Sequence, residues 1–181
     1  ATPKRVMLEK VRADLAEVGR VMAEHPVTFC YAENWIYAPA VRKALELLER
    51  CVPTGSILEI RGEESHSGSH SEYSKWWRHA GGGSLARLAA HPIGLGLFLK
   101  RFEGEQRTGT PILPAEVLAD GVNLSTTPAF AAARGSSLVA GWRDVETWAQ
   151  VTVAFADGSR GVFYGADNLL GGMEGNADIR L

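Results

Sequence analysis

The sequence predicts an α+β fold: an open, mostly antiparallel sheet with helices packed on one face. Three observations carry that prediction. Apolar residues recur at helical spacing through much of the first half, alternating runs dominate the last third, and an Asp157-Gly158 pair sits between two of those runs as a tight hairpin turn would. The 181 residues suffice for one domain with a real core or for two small ones.

In chain order, Arg5–Lys10 (RVMLEK) reads as a short buried strand ending in charge. Arg12–His25 places Leu15, Val18, Val21 and Met22 on one helical stripe. Val27–Ala32 is a β-rich run. Ala38–Arg50 is a second amphipathic helix, with Pro39 in the first turn, where its missing N–H costs nothing. Ser56–Glu64 alternates as a half-buried strand. A long polar loop rich in Gly and Ser then runs over 62–83, and a loop of that length inside a domain is functional or disordered. A helix is expected over Ser84–Arg101, and a further loop over 103–111.

In the last third, pairing Ala156 with Ser159 across the turn sets a register. It places Val151, Val153 and Phe155 opposite Tyr164, Val162 and Arg160 on a core face. The other face then carries Trp148, Gln150, Thr152 and Ala154 with Phe163. It is too apolar for open water, and is expected to be a dimer interface with Glu146 and Gln150 at its polar edge. The final GNADIRL reads as a strand beginning.

Composition excludes several classes. A formal net charge of −2 gives no reason to expect nucleic acid or an anionic membrane as partner. No apolar run is long enough to span a bilayer, and the opening ATPKRVMLEK does not read as a signal peptide. Cys30 and Cys51 read as buried free thiols of a cytoplasmic protein. Neither a G-x-G-x-x-G fingerprint nor a P-loop occurs.

The order of motifs is that of a family. Glu9–Lys10, then AENWIYAPAVRKALELL, then GSILEIRGEESHSG, then a tryptophan and GGGSLARLAAHPIG together resemble the Gfo/Idh/MocA oxidoreductases, which include glucose-fructose oxidoreductase and inositol dehydrogenase. The resemblance covers nearly the whole chain but only the C-terminal half of that architecture, with the Rossmann domain missing. It implies that residues 1–11 are the end of the last Rossmann strand with its Glu-Lys motif. Residues 12–181 would then be the α+β substrate-binding and oligomerisation domain, cut short at its C-terminal end. The implied protein uses NAD or NADP on a sugar, polyol or related hydroxy compound, and no cofactor binding is expected of these residues alone. The alternative is a binding or scaffold module that kept the fold and lost the dehydrogenase chemistry.

The resemblance also implies roles. Lys10 falls at the lysine beside nicotinamide and substrate, with Val11 in place of the family's proline, so a trans peptide is expected there. Glu33 could orient a sugar hydroxyl, or simply pair locally; Tyr37 is expected to be structural. His91 falls at the histidine that takes the hydroxyl proton while hydride leaves carbon. The family aspartate four residues earlier is here Arg87. Arg87 could hold an acidic substrate group bidentately, or it could mark lost chemistry. Pro92, Gly94 and Gly96 weaken the helix around His91, and Gly81–Gly83 would let backbone approach a ligand. Trp76 and Trp77 could stack on a sugar or nicotinamide ring, or anchor the loop. His66-x-x-x-His70 and His79 lie in a loop with no further donor to complete a tetrahedral set, so no metal is expected.

Overall fold

A computed structural model describes residues 2–51, 55–66, 71–128, 144–167 and 173–180. The chain divides into two compact units, Ala1–Ala32 and Glu33–Leu181.

The first unit is dominated by helix α1, Lys4–Glu24. Arg5–Lys10 is therefore not a strand but the opening turns of this helix, and Lys10 lies within it rather than at a strand end. The physical reason is at position 11: a proline there would break the backbone ladder, whereas valine lets the helix run through. Pairs four apart brace the solvent side, with Lys10 Nζ 3.0 Å from Asp14 Oδ1 and Arg20 Nη1 2.6 Å from Glu24 Oε1. The run 27–32 forms no strand, because a lone β-prone segment with no paired neighbour has no ladder to join. Cys30 is exposed, not buried; the side chain of Cys51 lies outside the described residues.

The second unit is a five-stranded sheet with helices on one face. Its elements are α2 (Pro39–Cys51), β1 (Glu59–His66), α3 (Trp77–Ala80), a π-helical turn (Leu85–Ala89), α4 (Ala90–Thr108), β2 (Pro114–Val122), β3 (Trp148–Phe155), β4 (Arg160–Ala166) and β5 (Met173–Arg180). Spatial order is β2-β3-β4-β1-β5. All neighbours are antiparallel except β1 and β4, which run parallel. The open, mostly antiparallel sheet expected from the sequence is present, and the closing run does form a strand. The expected loop over 103–111 is instead largely the last turns of α4, which reach Thr108.

The β3–β4 hairpin differs from expectation by one residue. Its loop is Ala156-Asp157-Gly158, closed by Phe155 N–H donating to Ser159 O at 3.0 Å, with Gly158 at φ +89°. A type I turn followed by a left-handed glycine makes a three-residue loop, not the two-residue turn assumed. Val151 therefore faces Phe163 rather than Tyr164. A slip of one residue exchanges the faces of β4. Phe163, expected on the open face, is fully buried, while Val162 and Tyr164 replace it there.

The core lies between the helices and this corrected face. Leu45 and Leu48 of α2 and Leu95 and Leu99 of α4 pack with Ile57, Ile60, Val151, Val153, Phe155 and Phe163. Glycines let α4 come very near the sheet. A Cβ at Gly62 would lie 2.6 Å from Pro92 Cβ, and one at Gly96 would collide with the Phe163 ring. Gly62 on β1 and Gly96 on α4 thus have a packing cause.

At the far end of α4 a charged network is buried. Lys100, with no exposed surface, donates to Glu103 Oε2 at 2.5 Å, Asp157 Oδ2 at 2.7 Å and Ile57 O at 3.1 Å. Ile57 N–H returns a bond to Glu103 Oε1 at 3.0 Å. The ammonium thus ties the helix to the start of β1 and to the hairpin loop. Burial acts to raise the Asp157 carboxyl, but hydrogen bonds from Lys100 and Ser159 outweigh it and hold the group below its ordinary range. Replacing Lys100→Met leaves the buried Glu103 carboxylate with only its longer contact to Arg107 Nη1, at 3.3 Å, and lowers unfolding free energy in urea by about 3 kcal/mol. Because the Asp157 carboxyl is lowered in the folded state, its contribution is complete above the ordinary aspartate value. It is lost as pH falls through the lowered one, so denaturation midpoints fall toward acid less steeply in Asp157→Asn than in the unsubstituted chain.

Candidate functional site

Parallel β1 and β4 end side by side, Ser65 paired with Ala166. Their C-terminal ends deliver Glu64, His66 and Asp167, and the π-helical turn with the start of α4 lies over them: a Cβ at Gly165 would sit 2.9 Å from Ala89 Cβ. The turn's N-terminal end is held by Glu146. Its Oε1 accepts Gly83 N–H at 3.1 Å and Leu85 N–H at 3.2 Å, and its carbonyl accepts Ser84 N–H at 3.0 Å. These bonds satisfy donors that a helix start leaves open. They also account for Gly83, where a Cβ would collide with the Glu146 carbonyl. So Gly83 admits protein backbone, not the ligand envisaged from the sequence. Glu146 accordingly holds the N-terminal end of the π-helical turn.

His91 projects from the first turn of α4. Its Nδ1 lies 2.8 Å from Glu33 Oε2, and its ring stacks on Trp35 at 5.9 Å between centroids and 11° between planes. Glu33 is itself held, with Oε1 accepting Trp35 N–H at 2.9 Å. Gly94 makes room for it: a Cβ there would lie 3.1 Å from Glu33 Cγ. With Nδ1–H donated to a carboxylate, Nε2 carries the lone pair. Among the described residues Nε2 has no hydrogen-bond partner. Glu33 is 7% exposed and His91 is half-buried, so the pair is sheltered yet reachable.

Arg87, four residues earlier, turns to a different partner. Its Nη1 lies 2.7 Å from Asp167 Oδ2, and the aspartate side chain is fully buried. Burial pushes the Asp167 carboxyl above its ordinary value, against the attraction of Arg87. Glu64 lies within electrostatic reach of His91, His66 and Glu33. Its Oε1 is 3.3 Å from His66 Nε2, and burial raises its carboxyl too, against the attraction of His91 and His66. His66 is also within electrostatic reach of Asp167. Among the described residues, Glu64 Oε2, Asp167 Oδ1 and Ser84 Oγ are buried with no hydrogen-bond partner.

Of the residues singled out in the sequence, Glu33, His91 and Arg87 belong to this cluster. Trp77 heads α3, where its backbone N–H donates to Asp144 Oδ1 at 2.8 Å; among the described residues its ring has no stacking partner. Trp76 is covered by Arg78 at 5.6 Å. Lys10 belongs to the first unit and is paired with Asp14 on an exposed helix. His70 lies outside the described residues. Trp35, Glu64 and Asp167 were missed. Trp35 and Glu64 flank strong helix and strand signals that absorbed them, and Asp167 was placed only through the mistaken hairpin register.

The sequence lacks the glycine fingerprint, and the lysine tied to the cofactor by resemblance is occupied by Asp14.

No protein-family model matches the sequence. No curated protein matches it either. Solved structures do. GenD2 from gentamicin A biosynthesis, in complex with NAD, is 24% identical with a TM-score of 0.67, over 91% of this chain and 40% of that one. An NAD-binding oxidoreductase from Klebsiella pneumoniae is 20% identical with a TM-score of 0.62, over 91% and 41%. Levoglucosan dehydrogenase in complex with NADH and levoglucosan is 23% identical with a TM-score of 0.57, over 82% and 36%. The chain thus spans about 40% of the length of the structures it matches first. Its structural neighbours are oxidoreductases of the Gfo/Idh/MocA type, and its fold is that of their C-terminal α+β domain.

Proposed function

We propose that residues 33–181 are the substrate-binding and oligomerisation part of an NAD(P)-dependent oxidoreductase acting on a sugar, polyol or related hydroxy compound. The observation that carries this reading is the Glu33–His91 hydrogen bond at 2.8 Å. Oxidising a secondary alcohol requires a base on its hydroxyl. A carboxylate on Nδ1 selects the tautomer, holds the ring plane and stabilises the imidazolium formed when Nε2 takes the proton. Trp35 fixes the ring from one face. The carboxylate that the family carries one turn before the histidine is replaced here by a carboxylate 58 residues away. The orienting function is therefore retained, which favours the enzyme over the scaffold module. NAD or NADP, the hydride acceptor, would be held by a nucleotide-binding part beyond these residues, in a cytoplasmic protein. Levoglucosan dehydrogenase, with a sugar bound, and GenD2, with NAD bound, support the substrate and cofactor classes.

Arg87 does not offer a free charge to an anionic substrate, because Asp167 already balances it. Its role is to hold the end of β4 against the π-helical turn.

The oligomer uses the open sheet face. With the register corrected, that face carries Trp148 and Tyr164 in an edge contact at 5.8 Å, with Thr152, Val162 and Leu118, the last 76% exposed. Among the described residues no helix of the unit covers it, and contiguous apolar surface of this kind is an interface signature.

Four measurements test these statements. In nitrogen-15 spectra, His91 is the Nδ1-protonated tautomer; Glu33→Gln, which presents an amide N–H, shifts it toward the other tautomer. In a form joined to a nucleotide-binding domain, His91→Ala lowers kcat by roughly 10²–10⁴ with the fold kept, and full activity in that variant removes the base assignment. Arg87→Asp, which restores the family residue, sets two carboxylates together at a buried site and destabilises the chain by about 3–5 kcal/mol; Asp167→Asn added to it recovers part of the loss. Sedimentation shows a dimer that Trp148→Glu converts to monomer, and a wild-type monomer at high micromolar concentration excludes the sheet-face interface.

A further inference from the structure

A second carboxylate lies beneath the turn that carries His91. Alternation puts Ile60, Gly62, Glu64 and His66 of β1 on the face that meets α4. Gly62 lies directly under Pro92, the neighbour of His91, and Glu64 is the next residue on that face. Glu64 Oε1 is 3.3 Å from His66 Nε2. Its Oε2 is buried and, among the described residues, has no hydrogen-bond partner. A native fold seldom keeps such an oxygen without a use, and burial means that this one acts through space rather than by touching a ligand.

The charges around it define that use. Those that bear on Glu64 are the His91 imidazole of α4, the His66 imidazole of its own strand and the Glu33 carboxylate before α2. The remaining charges of the cluster are Arg87 and Asp167, which balance each other at 2.7 Å, and Glu146, which acts on Asp167. Burial raises the Glu64 carboxyl, and positive charge on either ring pulls it back down. Such coupling is mutual: an ionised Glu64 favours the positive form of those rings. Glu33 is bound to His91 Nδ1 and so dictates tautomer and ring orientation. A carboxylate that acts without a hydrogen bond to the ring alters its basicity and leaves its orientation alone.

We propose that Glu64 is the second counter-charge of the base: ionised, it stabilises the imidazolium that His91 becomes when Nε2 accepts the hydroxyl proton, and so sets the pH above which the base works. The assignment rests on the reading of His91 as that base. Glu64 is a positioning residue in this scheme; the proton stays on His91, and Glu64 touches neither substrate nor cofactor.

Nitrogen-15 titration of the 181-residue chain tests it. In Glu64→Gln, which keeps the volume and removes the charge, His91 takes up its proton about one pH unit lower than in the unsubstituted chain. Its Nδ1-protonated tautomer is unchanged, because Glu33 remains. Glu64→Asp keeps the charge and most of the effect. In a form joined to a nucleotide-binding domain, the acid limb of kcat/KM moves to lower pH with the ring. A folded Glu64→Gln chain whose His91 titration stays in place overturns the proposal and leaves the base reading untouched. A ring that titrates lower while the acid limb does not move overturns the base reading, and the role of Glu64 in the reaction with it. If Glu64→Gln does not fold, the carbon-13 signal of the Glu64 carboxyl decides the question in the unsubstituted chain. It moves in a step at the pH where the His91 ring is protonated, and His91→Gln abolishes that step; a carboxyl indifferent to the His91 ring refutes the proposal.

Discussion

The close approach of α4 to the sheet is the constraint on which the rest of the second unit depends. No side chain fits at Gly62 or Gly96, because Pro92 and the Phe163 ring occupy those positions. Interiors packed at this density transmit any added volume as strain. The helix is therefore placed in only one way. Its buried lysine meets the hairpin loop at one end, and its first turn meets the ends of β1 and β4 at the other. The π-helical turn just before α4 allows the chain to enter that position while Glu146 closes its open N–H groups. Proline and glycine around the histidine are thus a packing device first. They serve the site by fixing where His91 stands.

The site itself is a redistribution of charge. The resemblance leads one to expect a carboxylate and a histidine one turn apart on a helix. Here the helix carries Arg87 and His91, and each is answered by a carboxylate from another element, Asp167 after β4 and Glu33 before α2. Exchanging the helix aspartate for arginine alone would have left a buried cation beside an undirected imidazole. The two distant acids remove both difficulties at once, and each pair sits where burial makes its partner hard to do without.

The hairpin shows how one local choice spreads. Asp-Gly was read as the whole of a two-residue turn, while the chain uses Ala156 as well, with Gly158 in the left-handed position that only glycine takes without strain. Both loops satisfy the same dipeptide. They differ by one residue in register, and that residue moves Phe163 from the open face to the core, where Gly96 leaves space for its ring.

By itself the sequence determined the fold class, helix α2 and the runs that became β1, β3, β4 and β5; it carried no reading of β2, and its runs over Arg5–Lys10 and Val27–Ala32 form no strand. These rest on periodicity and on a motif order, both of which are local along the chain. Only the tertiary structure decided that Arg5–Lys10 is helical, that Phe163 faces inward, that Glu33 orients His91 and that Asp167 answers Arg87. Each of those depends on what lies across space: a strand partner that Arg5–Lys10 lacks, a cavity shaped by a glycine on another element, and carboxylates 58 and 80 residues from the groups they hold. Sequence spacing carries no signal for such pairs, because their energy arises from burial and charge brought together only when the helix settles on the sheet.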